Sequence, residues 1–360
     1  MSEFAALTKE VLWAFFLGGF LLGAISQRTH FCTMGALSDV VNMGDWTRAR
    51  QWLAAIGVAM IGFAALSDSG LIDPSKTLYA TSRLLWLSMC VGGLMFGYGM
   101  VIASGCGNKT LVRIGGGNLK SLVVFVVMGV SAFATLKGVT AVLRVNTVDT
   151  LAIEMPAGAT LSAFGVPGVG YVLGALLLVA VWRHKDFWTF DNHLASLGVG
   201  GLVVAMWWVS GHLGFVPEHP ETLDAVYVAT NSGRIEALTF TAPMAHTLDW
   251  LMFYSDKSKV LTAGVAAVVG VVMGSCASAL WSQTFRWEGF ANPRDLAQHL
   301  IGAVLMGVGG VTAMGCTIGQ GLSGISTLSL NALVALSAIV VGAVVALHQQ
   351  AARLERSACG

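Results

Sequence analysis

Long apolar runs separated by short polar connections set the pattern of this chain. They cover residues 11–26, 50–66, 84–103, 119–143, 168–182, 194–211, 259–281, 296–314 and 328–348. Several approach the roughly 20 residues that a helix needs to cross a bilayer core. Tilt or a broken helix accommodates the shorter ones. The pattern predicts an all-α polytopic membrane protein with about nine transmembrane helices. The start, MSEFAALTKEVLWAFF, mixes acids with Lys9 and leads to no small-residue cleavage site, so the first run is expected to be a retained span.

Two of these runs match. Residues 92–106 read GGLMFGYGMVIASGC and residues 302–316 read GAVLMGVGGVTAMGC. In register, Gly92, Gly97, Gly99, Ala103, Gly105 and Cys106 fall on Gly302, Gly307, Gly309, Ala313, Gly315 and Cys316. Glycine coincidences are cheap in a chain with 44 glycines, but a shared cysteine is rarer. The copies are five spans apart and so cross the bilayer in opposite senses, the signature of an inverted repeat. Residues 1–145 (spans 1–4) and 194–360 (spans 6–9) are then expected as two inverted repeats, with 146–193 carrying the linking span. LGGFLLG at 17–23 echoes VGGLVVA at 199–205 and sets His30 on His212, while GFLLG at 19–23 also resembles GVVMG at 270–274. Pairs such as Gly93/Gly97 and Gly19/Gly23 are most simply helix-packing contacts.

Composition places this pattern in a membrane. Hydrophobic residues make up 55% and charged residues 11%, with a mean hydropathy of +0.73. Soluble domains carry about 25% charged residues. Of the 20 Lys and Arg, twelve fall after spans one, three, five and seven or in the C-terminal tail. That bias puts the C-terminus in the cytoplasm and the N-terminus in the periplasm, with the acidic segment 212–258 (Glu218, Glu221, Asp224, Glu236) outside. Asp249 is expected on an interfacial helix within that segment. A net charge of +1 gives no hint of nucleic acid, and no phosphate-binding loop motif is present. The six cysteines form no C-x-x-C pair, so no metal or redox cofactor is implied.

Candidate chemistry gathers after the repeated cysteines. Residues 106–118 (CGNKTLVRIGGGN) and 316–327 (CTIGQGLSGIST) hold a helix poorly and are expected to unwind. Unwound backbone at membrane depth must line a cavity or be buried in protein, and its free amides favour an anion. Lys109 and Arg113 either attract that anion or serve as ordinary cytoplasmic charges. Arg28 and His30 either join the site or anchor the interface. Cys32 and Cys276 are further candidates, whereas Cys90 reads as an apolar filler and Cys359 as a tail thiol.

QRTHFCTMGALSD at 27–39, GCGNKTLVRIGGGNLKSLVV at 105–124 and GCTIGQGLSGISTLSL at 315–330 resemble the YeeE/YedE family, over essentially the whole chain. The resemblance implies a bacterial inner-membrane protein of sulfur transport, an hourglass of helices with loops dipping inward from both faces. It implies that cysteines near the constriction hold thiosulfate transiently, here Cys106, Cys316 and Cys32. Cys276 matches a less constant position, and GGGNLKSL departs from the plainer thiosulfate members, so another sulfur or selenium anion is an alternative cargo. A neutral thiol donates a weak hydrogen bond to such a dianion without adding charge. The alternative is a membrane thiol protein that passes sulfane sulfur or selenium to a cytoplasmic sulfurtransferase-like carrier.

Overall fold

A computed structural model of the chain describes residues 2–155, 158–161, 168–219, 223–256, 259–290 and 292–358. Glu221, Lys257 and Cys359 lie outside the described residues. The first half contains α1 (Ser2–Thr29), α2 (Thr33–Met43), α3 (Thr47–Asp68), α4 (Trp86–Ile102), α5 (Gly107–Gly115), α6 (Leu119–Lys137) and α7 (Val139–Asn146). After α8 (Val169–Trp182), α9 (Phe190–His193) runs through a widened turn into α10 (Val199–Trp208), one continuous helix over Phe190–Leu213. There follow α11 (Thr241–Met252), α12 (Ala263–Trp281), α13 (Pro293–Thr312), a helical segment at 317–326 and α14 (Leu330–Ala358).

All nine apolar runs fall on helices, but among the described residues seven helices combine the length and apolarity for crossing a membrane. The 14-residue α8 is short for a span. The 20-residue α13 carries Arg294, Asp295, Gln298 and His299 in its first two turns. The run 119–143 is divided, because Gly138 closes α6 with an extended backbone and α7 starts anew.

Helix starts follow local chemistry. Asn118 caps α6 by accepting a hydrogen bond from Ser121 N (2.9 Å), and Asn292 caps α13 by accepting one from Asp295 N (2.8 Å), with Pro293 in the first turn. Such caps satisfy backbone amides that a helix leaves orphaned. Gly44, at φ 68°, closes α2 in the left-handed conformation and turns the chain into α3.

Packing rests on glycine faces. α4 crosses α13 where Gly92 meets the Gly309 carbonyl and Ala313 amide, and Gly302 meets the Gly99 carbonyl and Ala103 amide. On their outer faces, Gly97 lies on the Ile339 carbonyl of α14, and Gly307 on the Met128 carbonyl of α6. Each cysteine-ending helix therefore packs on the long helix that follows the other cysteine, α4 on α14 and α13 on α6. α1 packs on α12 through Gly19, Gly23, Gly270 and Gly274, so GFLLG and GVVMG are two faces of one helix contact.

Candidate functional site

The break in each repeated run comes before the thiol, not after it. Ser104 (φ 58°) and Met314 (φ 54°) take the left-handed conformation two residues ahead of Cys106 and Cys316. Non-glycine residues adopt it only where their surroundings impose it. Helix then resumes at once, as α5 after Cys106 and as 317–326 after Cys316, with widened turns over Gly319–Gly324. This corrects the expectation of unwound backbone over 106–118 and 316–327. Both segments are buried inside the protein, where no water can satisfy free amides, and that requirement outweighs poor helix propensity.

Each central cysteine consequently sits at a helix N-terminus. Cys32 caps α2, with Gly35 N donating to its Sγ at 3.5 Å. Cys316 accepts from Gly319 N at 3.4 Å, and Cys106 occupies the N-cap position of α5 without a side-chain capping bond. All three are free thiols, between 0% and 4% exposed. They are also neighbours. The Cys32 and Cys106 thiols contact each other, the Thr317 hydroxyl lies against the Cys106 thiol, and Cys316 precedes Thr317. Three helix N-termini with partial positive charge thus converge on a row of sulfurs.

Unpartnered polar atoms gather at the same place. Thr33 Oγ1, Asn108 Oδ1 and Gln320 Oε1 are buried without a hydrogen-bond partner among the described residues. Thr33 and Asn108 lie one and two residues beyond Cys32 and Cys106; Gln320 is in the turn after Cys316. Buried polar groups are ordinarily paired, so a cluster of exceptions marks a place that takes a polar guest. Tyr79, from the 69–85 connection, reaches in beside Cys316 and donates to the Gly319 carbonyl (2.6 Å).

The row ends differently on its two sides. Beyond Cys106 stand Lys109 and Arg113, one helical turn apart on α5, with Arg113 Nη1 bonded to the Ser104 carbonyl (2.7 Å). Beyond Cys316 is a cavity of about 450 Å³ whose wall includes Gly315, Met314, Arg144, Asp149, Glu236 and His246. Arg144 pairs with Asp149 at 3.1 Å, and Asp149 also accepts from Ser88 (2.7 Å). Burial pushes the Glu236 carboxyl above the usual carboxylate range, against the opposing hydrogen bonds from Ser232.

The structure places the remaining candidates elsewhere. Arg28 is surface-exposed, pairs with Asp191 at 3.0 Å and lies 5.2 Å from the Phe190 ring centroid. Cys276 is half-buried on α12, its backbone amide against Gly115 of α5. Asp249 is buried on α11 and pairs with Lys259 at 2.6 Å. Tyr79 and Thr317 escape sequence reading, because nothing in the 69–85 connection or the repeat marks them as facing a thiol.

Known proteins with this sequence pattern decide the family. Residues 28–345 match the sulphur transport family. The chain belongs to that family. It resembles the thiosulfate transporter TsuA of Spirochaeta thermophila at 27% identity over 348 residues, covering 92% of this chain and 97% of the relative. TsuA of Escherichia coli K12 is 27% identical over 338 residues, covering 90% of each. The family is one of transport proteins rather than enzymes, and the helices make this member a multi-pass membrane protein.

Proposed function

We propose that this chain carries thiosulfate, or a closely related small sulfur anion, across the bacterial inner membrane along the row Cys316, Cys106 and Cys32. The observation that carries this reading is three buried thiols, each on a helix N-terminus, with Cys32 and Cys106 in contact and Cys316 next to Thr317, whose hydroxyl lies against Cys106. Neutral thiols donate weak hydrogen bonds, and the helix N-termini favour negative charge without fixing it tightly. A path needs that balance, since an ion that binds too well does not leave. The names of the two relatives support the choice of cargo.

The same reading takes the two halves as inverted repeats, 1–145 and 194–360. Corresponding contacts support it: α4 with α14 against α13 with α6, and the left-handed residues Ser104 and Met314 at matching positions. The basic end with Lys109 and Arg113 is then cytoplasmic, and the cavity beyond Cys316 opens to the periplasm. Purified protein in liposomes should take up labelled thiosulfate saturably, with sulfate competing weakly and selenosulfate, which has a soft selenium in place of the terminal sulfur, strongly. Equal competition by sulfate would remove the role of the terminal sulfur.

pH dependence follows from Glu236. Its raised affinity for a proton means that, as pH falls, it becomes neutral earlier than an ordinary carboxyl. Loss of that negative charge from the cavity wall favours an incoming anion. Thiosulfate KM should therefore fall as external pH is lowered, and Glu236→Gln should hold the low-pH value throughout. Uptake in liposomes buffered at a series of external pH values measures both.

A further inference from the structure

Beside the Cys32–Cys106 pair stands an ion pair that the row of thiols does not itself require. Asp39 lies on the last turns of α2, 3% exposed, and Arg48 lies on the first turn of α3. The tight turn at Gly44 brings them together, and Arg48 grips both Asp39 carboxylate oxygens through Nε and Nη2. Its remaining nitrogen, Nη1, fills the space where a side chain on Gly35 would stand. Gly35 is the residue whose amide reaches the Cys32 sulfur, at 3.5 Å. The guanidinium is thus one backbone unit from the thiol pair, and it shares the electrostatic surroundings of Lys109 and His30.

The charges can be summed. Lys109, Arg113 and Arg48 contribute three positive charges, and Asp39 removes one. His30 and the Cys32 and Cys106 thiols also titrate there, and each is uncharged in its neutral form. The result is two positive charges, matched to a dianion. We propose that Asp39 sets how firmly the inner end of the path holds its anion, by fixing Arg48 beside Cys32 while cancelling one cationic charge. This rests on the thiosulfate reading above. An unopposed third cation would hold a dianion too well, and release into the cytoplasm would slow. The fixed geometry matters as much as the sum, because a guanidinium gripped at two oxygens does not follow the departing ion.

The test compares the full-length wild type with Asp39→Asn, Arg48→Gln and the double variant, measuring thiosulfate uptake in liposomes and binding in detergent. Asp39→Asn keeps an oxygen for Arg48 but leaves the third charge unopposed. It should bind thiosulfate about tenfold more tightly, with KM and maximal rate both lowered. Arg48→Gln should raise KM. The double variant restores the sum of two positive charges, so its KM should return to within about twofold of wild type. A purely structural ion pair predicts otherwise: loss of rate without gain of affinity, and no recovery in the double variant. Either result overturns the proposal. Should Asp39→Asn fail to fold, Gly35→Ala serves instead. Its methyl group displaces the guanidinium at unchanged charge and should raise KM, and an unchanged KM overturns the proposal. Wild-type protein that takes up no thiosulfate would instead overturn the transport reading, a separable outcome.

Discussion

Replacing Cys106 or Cys316 by alanine should abolish thiosulfate uptake while the protein still reaches the membrane at near-normal levels. The two halves of that expectation have different physical origins. Each thiol is fully buried, so losing its sulfur removes little more than one methyl-sized group and costs about 1 kcal/mol of stability. A helical membrane protein of this size tolerates that. Transport is far more exposed to the change, because each sulfur is a link in a row where the next donor is the adjacent thiol or the Thr317 hydroxyl. Removing a link leaves the anion facing a methyl group with no donor, and a buried charge without partners is strongly disfavoured. Serine at the same positions separates two chemistries. A hydroxyl still donates a hydrogen bond, so Cys106→Ser and Cys316→Ser should keep a measurable fraction of uptake if the thiols act as donors. A mechanism through a persulfide needs the sulfur itself, and both serine variants would then be as dead as alanine. Mass measurement of substrate-treated protein checks the same point, since the donor mechanism leaves no adduct.

The structure explains why some of this is readable in the sequence and some is not. Apolar runs map onto helices because the bilayer demands length and hydrophobicity, and both are linear properties of the chain. The pairing of Cys106 with Cys316 is readable because the duplicated run preserves its glycines for contact, and the thiol follows at a fixed distance. Helix in CTIGQGLSGIST is not readable, since propensity counts glycine and serine against it while burial decides for it. The Asp39–Arg48 pair depends on the turn at Gly44, and its proximity to Cys32 depends on Gly35, which looks like any other packing glycine. Arg28 shows the opposite failure. It is close in sequence to Cys32, but it follows the last turn of α1 outward to Asp191, while the chain folds Cys32 inward.

Glycines on the cysteine-ending helices should be the least replaceable small residues in the protein. Gly97 and Gly307 occupy matching positions in the two runs, and each rests on a carbonyl of the long helix that follows the other run: Ile339 of α14 for Gly97, Met128 of α6 for Gly307. A methyl group there meets backbone, which cannot rotate aside, so the two helices must separate. Leucine at either position should cost about 3 kcal/mol or more, the upper range of overpacking, and should stop folded protein accumulating in the membrane. Alanine should lower the detergent Tm by several degrees. Gly201 on α10 is the control, for an added Cβ there meets nothing within 4 Å. Gly201→Ala should be neutral or slightly stabilising, because alanine is the better helix former. The comparison between Gly97 and Gly307 carries further weight. If the halves are built alike, the two alanine variants should shift Tm by similar amounts, and a second substitution should add to the first, since each acts on a different helix pair. Strongly unequal effects would mean that one half alone bears the load. The thiols would then stand on two unlike supports, and the case for equivalent halves would lose its energetic basis.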